Sequence, residues 1–153
     1  PLHEETINLS PMTDGTAAYA QNLDWTGVLL AAANEAAGYT FMVPQNMVEN
    51  VIQYLWISNG ASAPALDTSD TFTVDVSGGV SSETNTTTMD GITATGQTLT
   101  DNDVLRVDVS TGFDATGLLK PGNVIGVDID KAAEGTTGDD HLILALAVVI
   151  RCV

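Results

Sequence analysis

Basic residues are scarce in this chain: four Lys and Arg stand against 20 Asp and Glu, for a net charge of −16 over 153 residues. A protein that binds nucleic acid neutralises backbone phosphates with clustered Lys and Arg, and an anionic membrane surface attracts the same groups. The four bases here, Arg106, Lys120, Lys131 and Arg151, are dispersed. The composition therefore argues against direct nucleic-acid contact and against attachment to a membrane.

Cysteine and histidine are also scarce, with one Cys and two His. Cys152 has no second cysteine to pair with, and its place in an apolar run predicts a small buried residue rather than a reactive thiol. His3 and His141 are too few for a zinc site, and no motif such as G-x-S-x-G accompanies them. We therefore predict no catalytic residues, no cofactor and no enzymatic activity.

Long hydrophobic runs are missing too. The longest, Val28 to Ala33 and Leu142 to Ile150, are shorter than the roughly 20 residues that a membrane-spanning helix needs. The residues from Pro1 onward lack the basic and apolar regions of a signal peptide. We expect a protein that is made and folded in the cytosol.

What the sequence does contain is a series of short alternating segments separated by Gly, Pro, Asn and Asp. In Thr71 to Ser77 and in Val124 to Asp130, apolar residues occupy every second position. Eight or nine such segments predict an all-β fold, a single β-sandwich in the form of a jelly roll with at most one short helix. Residues 1–24 are interpreted as an N-terminal arm or first strand and 25–153 as the sandwich domain. Thr26 to Gly38 fits either a helix or a buried strand.

We predict no metal site, and the candidates for calcium ligands are four aspartates. Asp128, Asp130, Asp139 and Asp140 lie at turns and strand ends, where oxygen ligands for calcium gather. Aspartates that only cap and solvate turns have the same distribution. These four residues are the calcium candidates.

Aromatic side chains and one polar segment supply the candidates for ligand binding. Trp25 flanks a polar stretch and is the predicted ligand contact, whereas Trp56 lies in an apolar segment and is expected in the core. The segment Gly78 to Gly91 is almost without apolar residues, which predicts a long solvated loop at one end of the fold.

The last third of the chain predicts one long β-hairpin, Leu118 to Val153, with strands Val124 to Asp130 and His141 to Val153 around a polar turn. Both faces of the second strand are mostly apolar. One face suits the core, and the other must be covered by another sheet, a loop or another copy of the chain. The sequence therefore predicts an oligomer interface on one face of this strand, formed by Ile143, Ala145, Ala147 and Val149, or by the opposite row Leu144, Leu146 and Val148.

Three segments carry a resemblance to a known group of proteins: Leu119-Lys120-Pro121-Gly122-Asn123 before a strand, Thr136 to Leu142 with the pair Asp139-Asp140 before a terminal apolar strand, and Phe41-Met42-Val43-Pro44 before the strand Val51 to Ser58. In this pattern the chain resembles the small jelly-roll virion proteins of tailed phages, which decorate capsids or form the tips of head and tail fibres.

The resemblance implies a homotrimer located in the virion, made in the host cytoplasm, without cofactor or catalysis. Its partners would be other copies of itself and the major capsid protein or another virion protein. The leading hypothesis is a capsid decoration (cement) protein. The alternative is a carbohydrate- or receptor-binding module, such as a fibre tip, that uses Trp25 and the Gly78 to Gly91 segment.

Overall fold

The computed structural model describes residues 1–22, 24–31, 35–59, 71–79, 86–93, 104–114, 117–133 and 141–153. Within these ranges the chain forms eleven strands and one short helix. They are β1 (His3–Leu9), β2 (Met12–Gly15), β3 (Ala18–Asn22), β4 (Trp25–Leu30), β5 (Glu35–Met42), β6 (Met47–Asn59), β7 (Thr71–Gly79), β8 (Thr86–Thr93), β9 (Val104–Asp108), α1 (Ser110–Asp114), β10 (Val124–Ala133) and β11 (His141–Cys152).

The strands form two antiparallel sheets packed face to face. In the described part of the chain, sheet A has the order β3-β4-β11-β6-β9, with β1 also paired to β11, and sheet B has the order β2-β5-β10-β7-β8. From β4 to β11, successive strands change sheet at every step except β7 to β8. This alternation is the double Greek key of a jelly roll, so the predicted all-β sandwich is confirmed. Thr26 to Gly38, which fitted two interpretations, lies mainly in the strands β4 and β5.

The predicted hairpin between the last two strands is wrong. β10 pairs with β5 and β7, whereas β11 pairs with β1, β4 and β6. Each is a central strand of its own sheet, and the chain crosses the sandwich between them. Hydrophobic alternation predicts that a strand forms, but it carries no information about which strand becomes its neighbour.

The N-terminal residues belong to both sheets. β1 pairs with the second half of β11, from His3 opposite Cys152 to Leu9 opposite Leu146. β4 pairs with the start of the same strand, at 141–143, so β1 and β4 share β11 as a partner. The segment Met12–Gly15 is the edge strand β2 of sheet B and pairs with β5.

The predicted loop from Gly78 to Gly91 is also wrong in part. Thr86–Thr93 forms β8, which pairs with β7 at the edge of sheet B, and 80–85 lie outside the described residues. A strand at the edge of a sheet needs no apolar row, and β-branched threonines suit it. In β9, Leu105 and Val107 pack against the core.

The hydrophobic core lies between the two sheets. Its side chains come from alternate positions of the central strands, among them Leu55 and Ile57 of β6 and Ile125, Val127 and Ile129 of β10. Cys152 is fully buried in the same cluster, as predicted. In the ranges that the structure describes, no helix has the length and apolar character needed to cross a membrane.

Candidate functional site

A β-bulge near the start of β11 decides which side chains face outward. Ile143 is opposite Ile57 of β6, and Ala145 is opposite Trp56, so Leu144 is an extra residue without a partner of its own. The extra residue reverses the alternation of the strand. Gly27 of β4 makes room for the bulge, because a Cβ at this position would overlap the carbonyl oxygen of Ile143.

The bulge corrects the predicted interface row. Ile143 is completely buried in the core, together with Leu146 and Val148. It therefore does not share a face with Ala145, Ala147 and Val149, and the opposite row of Leu144, Leu146 and Val148 is mostly core. Ala145 and Val149 are half-buried and Ala147 is 8% exposed. These three residues lie on the outer face of sheet A, and their role in an interface stays a prediction.

Two aromatic side chains stand beside the alanines on this outer face. Tyr54 is opposite Ala147 and Trp56 is opposite Ala145, and both aromatic residues are half-buried. The prediction that Trp56 lies in the core is therefore wrong. Because an alanine rises only one methyl group above the sheet, the two larger rings stand above the neighbouring strand.

Arg106 of β9 completes this group. It is opposite Trp56 in the register, and its guanidinium carbon lies 4.2 Å from the centroid of the Tyr54 ring and 5.8 Å from that of Trp56. Such cation–π contacts hold the rings and the guanidinium in a defined arrangement. The five N–H donors of an arginine then lie next to two aromatic rings. We call Tyr54, Trp56, Arg106, Ala145 and Ala147 the aromatic face.

The second arginine of sheet A has a different role. Arg151 of β11 donates hydrogen bonds to Glu49 of β6 and, at 3.3 Å, to Glu4 of β1. The side chain thus links the three strands at one end of the sheet. Arg106, in contrast, is exposed beside the aromatic rings, so it is the arginine that a ligand on the aromatic face would meet.

Trp25, the predicted ligand contact, lies at the start of β4 opposite Asn22 of β3 and is half-buried. Val28 and Leu30 of the same strand point into the core, so alternation places Trp25 on the outer side of sheet A. β11 separates its strand from β6. Trp25 therefore lies on the same face of sheet A as Tyr54 and Trp56. The sequence did not predict these two residues beside Arg106 as ligand contacts. The missed signal is the spacing of two between Tyr54 and Trp56, which puts both on one side of a strand.

The calcium candidates fall into two groups. Asp128 and Asp130 lie at alternate positions of β10 and are half-buried on the outer face of sheet B, while Asp139 and Asp140 lie outside the described residues. Among the residues that are described, no group of three or more His, Cys, Asp or Glu side chains is placed to hold a metal ion. Calcium binding stays a prediction without a site in this part of the chain.

No protein-family model matches the chain, and no curated protein matches it significantly. Solved structures with a similar fold include a family two carbohydrate esterase from Cellvibrio japonicus (TM-score 0.47, 10% identity, 98% of this chain and 34% of that chain). TmCBM61 in complex with beta-1,4-galactotriose has a TM-score of 0.41 at 10% identity, covering 92% of this chain and 88% of that one.

The CBM36-1 domain of a xylanase from the hindgut metagenome of Trinervitermes trinervoides has a TM-score of 0.40 at 13% identity, covering 95% of this chain and 96% of that one. This chain spans about a third of the esterase chain, 34% of its length. The likenesses are confined to the β-sandwich fold. The resemblance to virion proteins is therefore matched only at the level of a β-sandwich.

Proposed function

We propose that this protein is a non-catalytic β-sandwich module that binds a carbohydrate chain on the aromatic face. The observation that carries the proposal is the pair Tyr54 and Trp56, two half-buried rings two residues apart on one outward-facing side of β6. Strand geometry separates such positions by about 7 Å. An aromatic ring offers an apolar surface for the C–H face of a sugar ring, and the Arg106 guanidinium donates hydrogen bonds to hydroxyl groups.

The charge of the protein favours a neutral polysaccharide. The net charge of −16 repels polyanions, and Asp108 lies two residues from Arg106 on the same face of β9. The Asp108 carboxylate accepts a hydrogen bond of 2.9 Å from the backbone N–H of Ser110. An exposed arginine beside a carboxylate serves better as a donor to hydroxyl groups than as a site for an acidic sugar.

Truncation of the aromatic pair tests the proposal. Trp56→Ala and Tyr54→Ala should each weaken binding to a neutral oligosaccharide by roughly 30-fold, the loss typical of an aromatic anchor worth about 2 kcal/mol. Isothermal titration with neutral tetrasaccharides of glucose, xylose, mannose and galactose measures the affinity. Tyr19→Ala is the matched control, because Tyr19 is an aromatic residue of β3 with 59% exposure outside the aromatic face. Equal loss in all three variants, or no binding by the unaltered protein, would contradict the proposal.

A second candidate function is assembly as a homotrimeric virion protein that decorates a capsid. It is favoured by the apolar outer residues Ala145, Ala147 and Val149 of β11, the last of which is opposite Ile52 of β6. A stable contact of typical size buries about 800 Å² on each partner. In this case another copy of the chain covers the aromatic face.

Oligomeric state separates the two candidates. If the protein assembles as a trimer, size-exclusion chromatography with light scattering should show a trimer at micromolar concentration. Ala147→Glu should dissociate this trimer, because the change places a carboxylate in an apolar contact. Gln21→Glu is the control, since it adds the same charge at an exposed position of β3. A monomer for the unaltered protein would remove the assembly candidate and leave carbohydrate binding untouched.

A further inference from the structure

The outer face of sheet B, on the opposite side of the sandwich from the aromatic face, carries a groove of about 540 Å³. This volume is in the range of sites for small molecules. The groove crosses three hydrogen-bonded strands, β5, β10 and β7, and β2 forms one of its walls. Its lining includes Met12, Asp14, Gly38, Thr40, Ser77, Gly126 and Asp128.

Two glycines form the floor of the groove. Gly126 lies between Thr40 of β5 and Ser77 of β7 in the register, and a Cβ added to Gly126 would meet no atom within 4 Å. Two residue pairs further along, on the same face, Gly38 lies between Met12 and Asp128. The groove therefore exists because two adjacent strands have no side chain at the positions where they would fill it.

Hydroxyl and carboxylate groups surround this floor. Thr40 and Ser77 flank Gly126 at the cross-strand spacing of about 5 Å, which places one hydroxyl group on each side of a flat backbone surface. The Asp128 carboxylate leans over the next glycine, with its Oδ1 3.3 Å from the position that a Cβ of Gly38 would take. An ionised carboxylate only accepts hydrogen bonds, so a ligand group that contacts Asp128 has to be a donor.

The lining also restricts the charge of the ligand. Asp14 and Asp128 line the described groove and no Lys or Arg does, so an anionic ligand would be repelled at a short distance. A divalent metal ion would need a larger set of carboxylates, and the described residues contain no cluster of three or more such ligands. A neutral molecule rich in hydroxyl groups can donate hydrogen bonds to a carboxylate oxygen and meets neither difficulty.

From this geometry we infer that the groove on sheet B is a second ligand site, which takes a neutral sugar residue with its ring over Gly126 and its hydroxyl groups toward Thr40, Ser77 and Asp128. The inference shares a ligand class with the proposed function but none of its residues. Since the two sites are on opposite faces of the sandwich, one ligand cannot contact both. The protein would then bind two carbohydrate segments at the same time.

Backbone NMR on the 15N-labelled protein tests the inference. Millimolar neutral tetrasaccharides of glucose, xylose, mannose and galactose should shift the amide signals of Gly38, Thr40, Ser77 and Gly126, whereas tetragalacturonate should not. Gly126→Val should weaken this binding at least tenfold, because its side chain occupies the open space above the floor. Val124→Ile is the matched control: Val124 is an exposed residue of the same strand and face that does not line the groove.

The variants separate the two sites. Trp56→Ala should leave the shifts in the groove unchanged, and Gly126→Val should leave binding on the aromatic face unchanged. Asp128→Asn keeps the shape of the side chain and removes its charge. If Gly126→Val does not fold, this variant tests the groove instead and should weaken the binding. The inference is overturned if no neutral saccharide shifts the four groove amides, if only calcium chloride shifts them, or if Gly126→Val binds as tightly as Val124→Ile.

Discussion

Tyr39 of β5 places a phenol hydroxyl in the core without a hydrogen-bond partner among the described residues. The side chain is 3% exposed, and burial raises its pKa above the ordinary value of 10.0. A hydroxyl that is buried without a hydrogen-bond partner lowers the free energy of unfolding, because its hydrogen bonds to water are lost and not replaced. Tyr39→Phe should therefore raise the free energy of unfolding by about 1 kcal/mol.

Urea unfolding measures this change, with Tyr19→Phe as the control because the Tyr19 hydroxyl is in an exposed residue. The control should leave the free energy of unfolding unchanged. A loss of stability in Tyr39→Phe would mean that the hydroxyl has a favourable interaction in the folded protein.

Cys152 is predicted to be a poor nucleophile. Its side chain is buried in the core, and burial, with a further contribution from the Glu5 carboxylate, raises the pKa of the thiol. Because the thiolate is the reactive form, a raised pKa and a closed core both slow its reaction. Labelling with a disulfide reagent at pH 8 should be at least roughly tenfold slower in the folded protein than in urea. Equal rates would show that the last residues of β11 are open to solvent.

At the scale of the strand, alanine substitutions of two glycines on different strands should change the free energy of unfolding in opposite directions. Gly27 has no room for a Cβ, because the bulge in β11 brings the Ile143 carbonyl oxygen into that space, whereas Gly126 has no atom within 4 Å of the same position. Neither has a positive φ. Gly27→Ala should lower the free energy of unfolding by about 1–3 kcal/mol through overpacking, and Gly126→Ala should raise it by roughly 0.5–1 kcal/mol because the unfolded chain loses freedom.

The two alanine variants serve as controls for each other in chemical denaturation, since both add one methyl group to a central region of a sheet. If Gly27→Ala were as stable as the unaltered protein, the backbone of β4 would have to move away from β11 at low cost. The position of the bulge in β11 would then be adaptable rather than required by the packing.

The same bulge explains why the outward-facing residues could be predicted only in part. Alternation in Val124 to Asp130 correctly separated Ile125, Val127 and Ile129 from the outer aspartates, since only one side of that segment is apolar. β11 is apolar on both sides, so no polar residue marks where Leu144 enters as an extra residue and reverses the pattern. β6 has the same ambiguity, and for that reason Trp56 was expected in the core.

At the scale of the whole molecule, short strands and turn residues were enough to predict a β-sandwich. They were not enough to predict which strands lie next to each other. In a jelly roll most partners are distant in sequence: β11 pairs with β1, β4 and β6. Both the groove on sheet B and the aromatic face depend on such partners. Gly126 between Thr40 and Ser77, and Trp56 between Arg106 and Ala145, become groups only when strands far apart in the chain are placed side by side.

The excess of acids makes the stability of the whole molecule sensitive to salt. With a net charge of −16, repulsion among surface carboxylates disfavours the compact state, and salt screens it once the Debye length falls to about 10 Å. Salt also weakens the Arg151 ion pairs, but Arg151, Glu4 and Glu49 are partly exposed, and each such pair is worth at most about 1 kcal/mol. Repulsion is the larger effect, so sodium chloride should stabilise the folded protein.

Thermal unfolding monitored by circular dichroism should show Tm rising by about 3 °C between low salt and physiological ionic strength, the shift that corresponds to roughly 1 kcal/mol in a domain of this size. Arg106→Gln makes the net charge one unit more negative and should steepen this dependence. Potassium chloride at equal ionic strength should act as sodium chloride does, because screening depends on charge and not on the identity of the ion. A Tm that falls with salt would mean that the ion pairs around Arg151 outweigh the repulsion of the remaining acids.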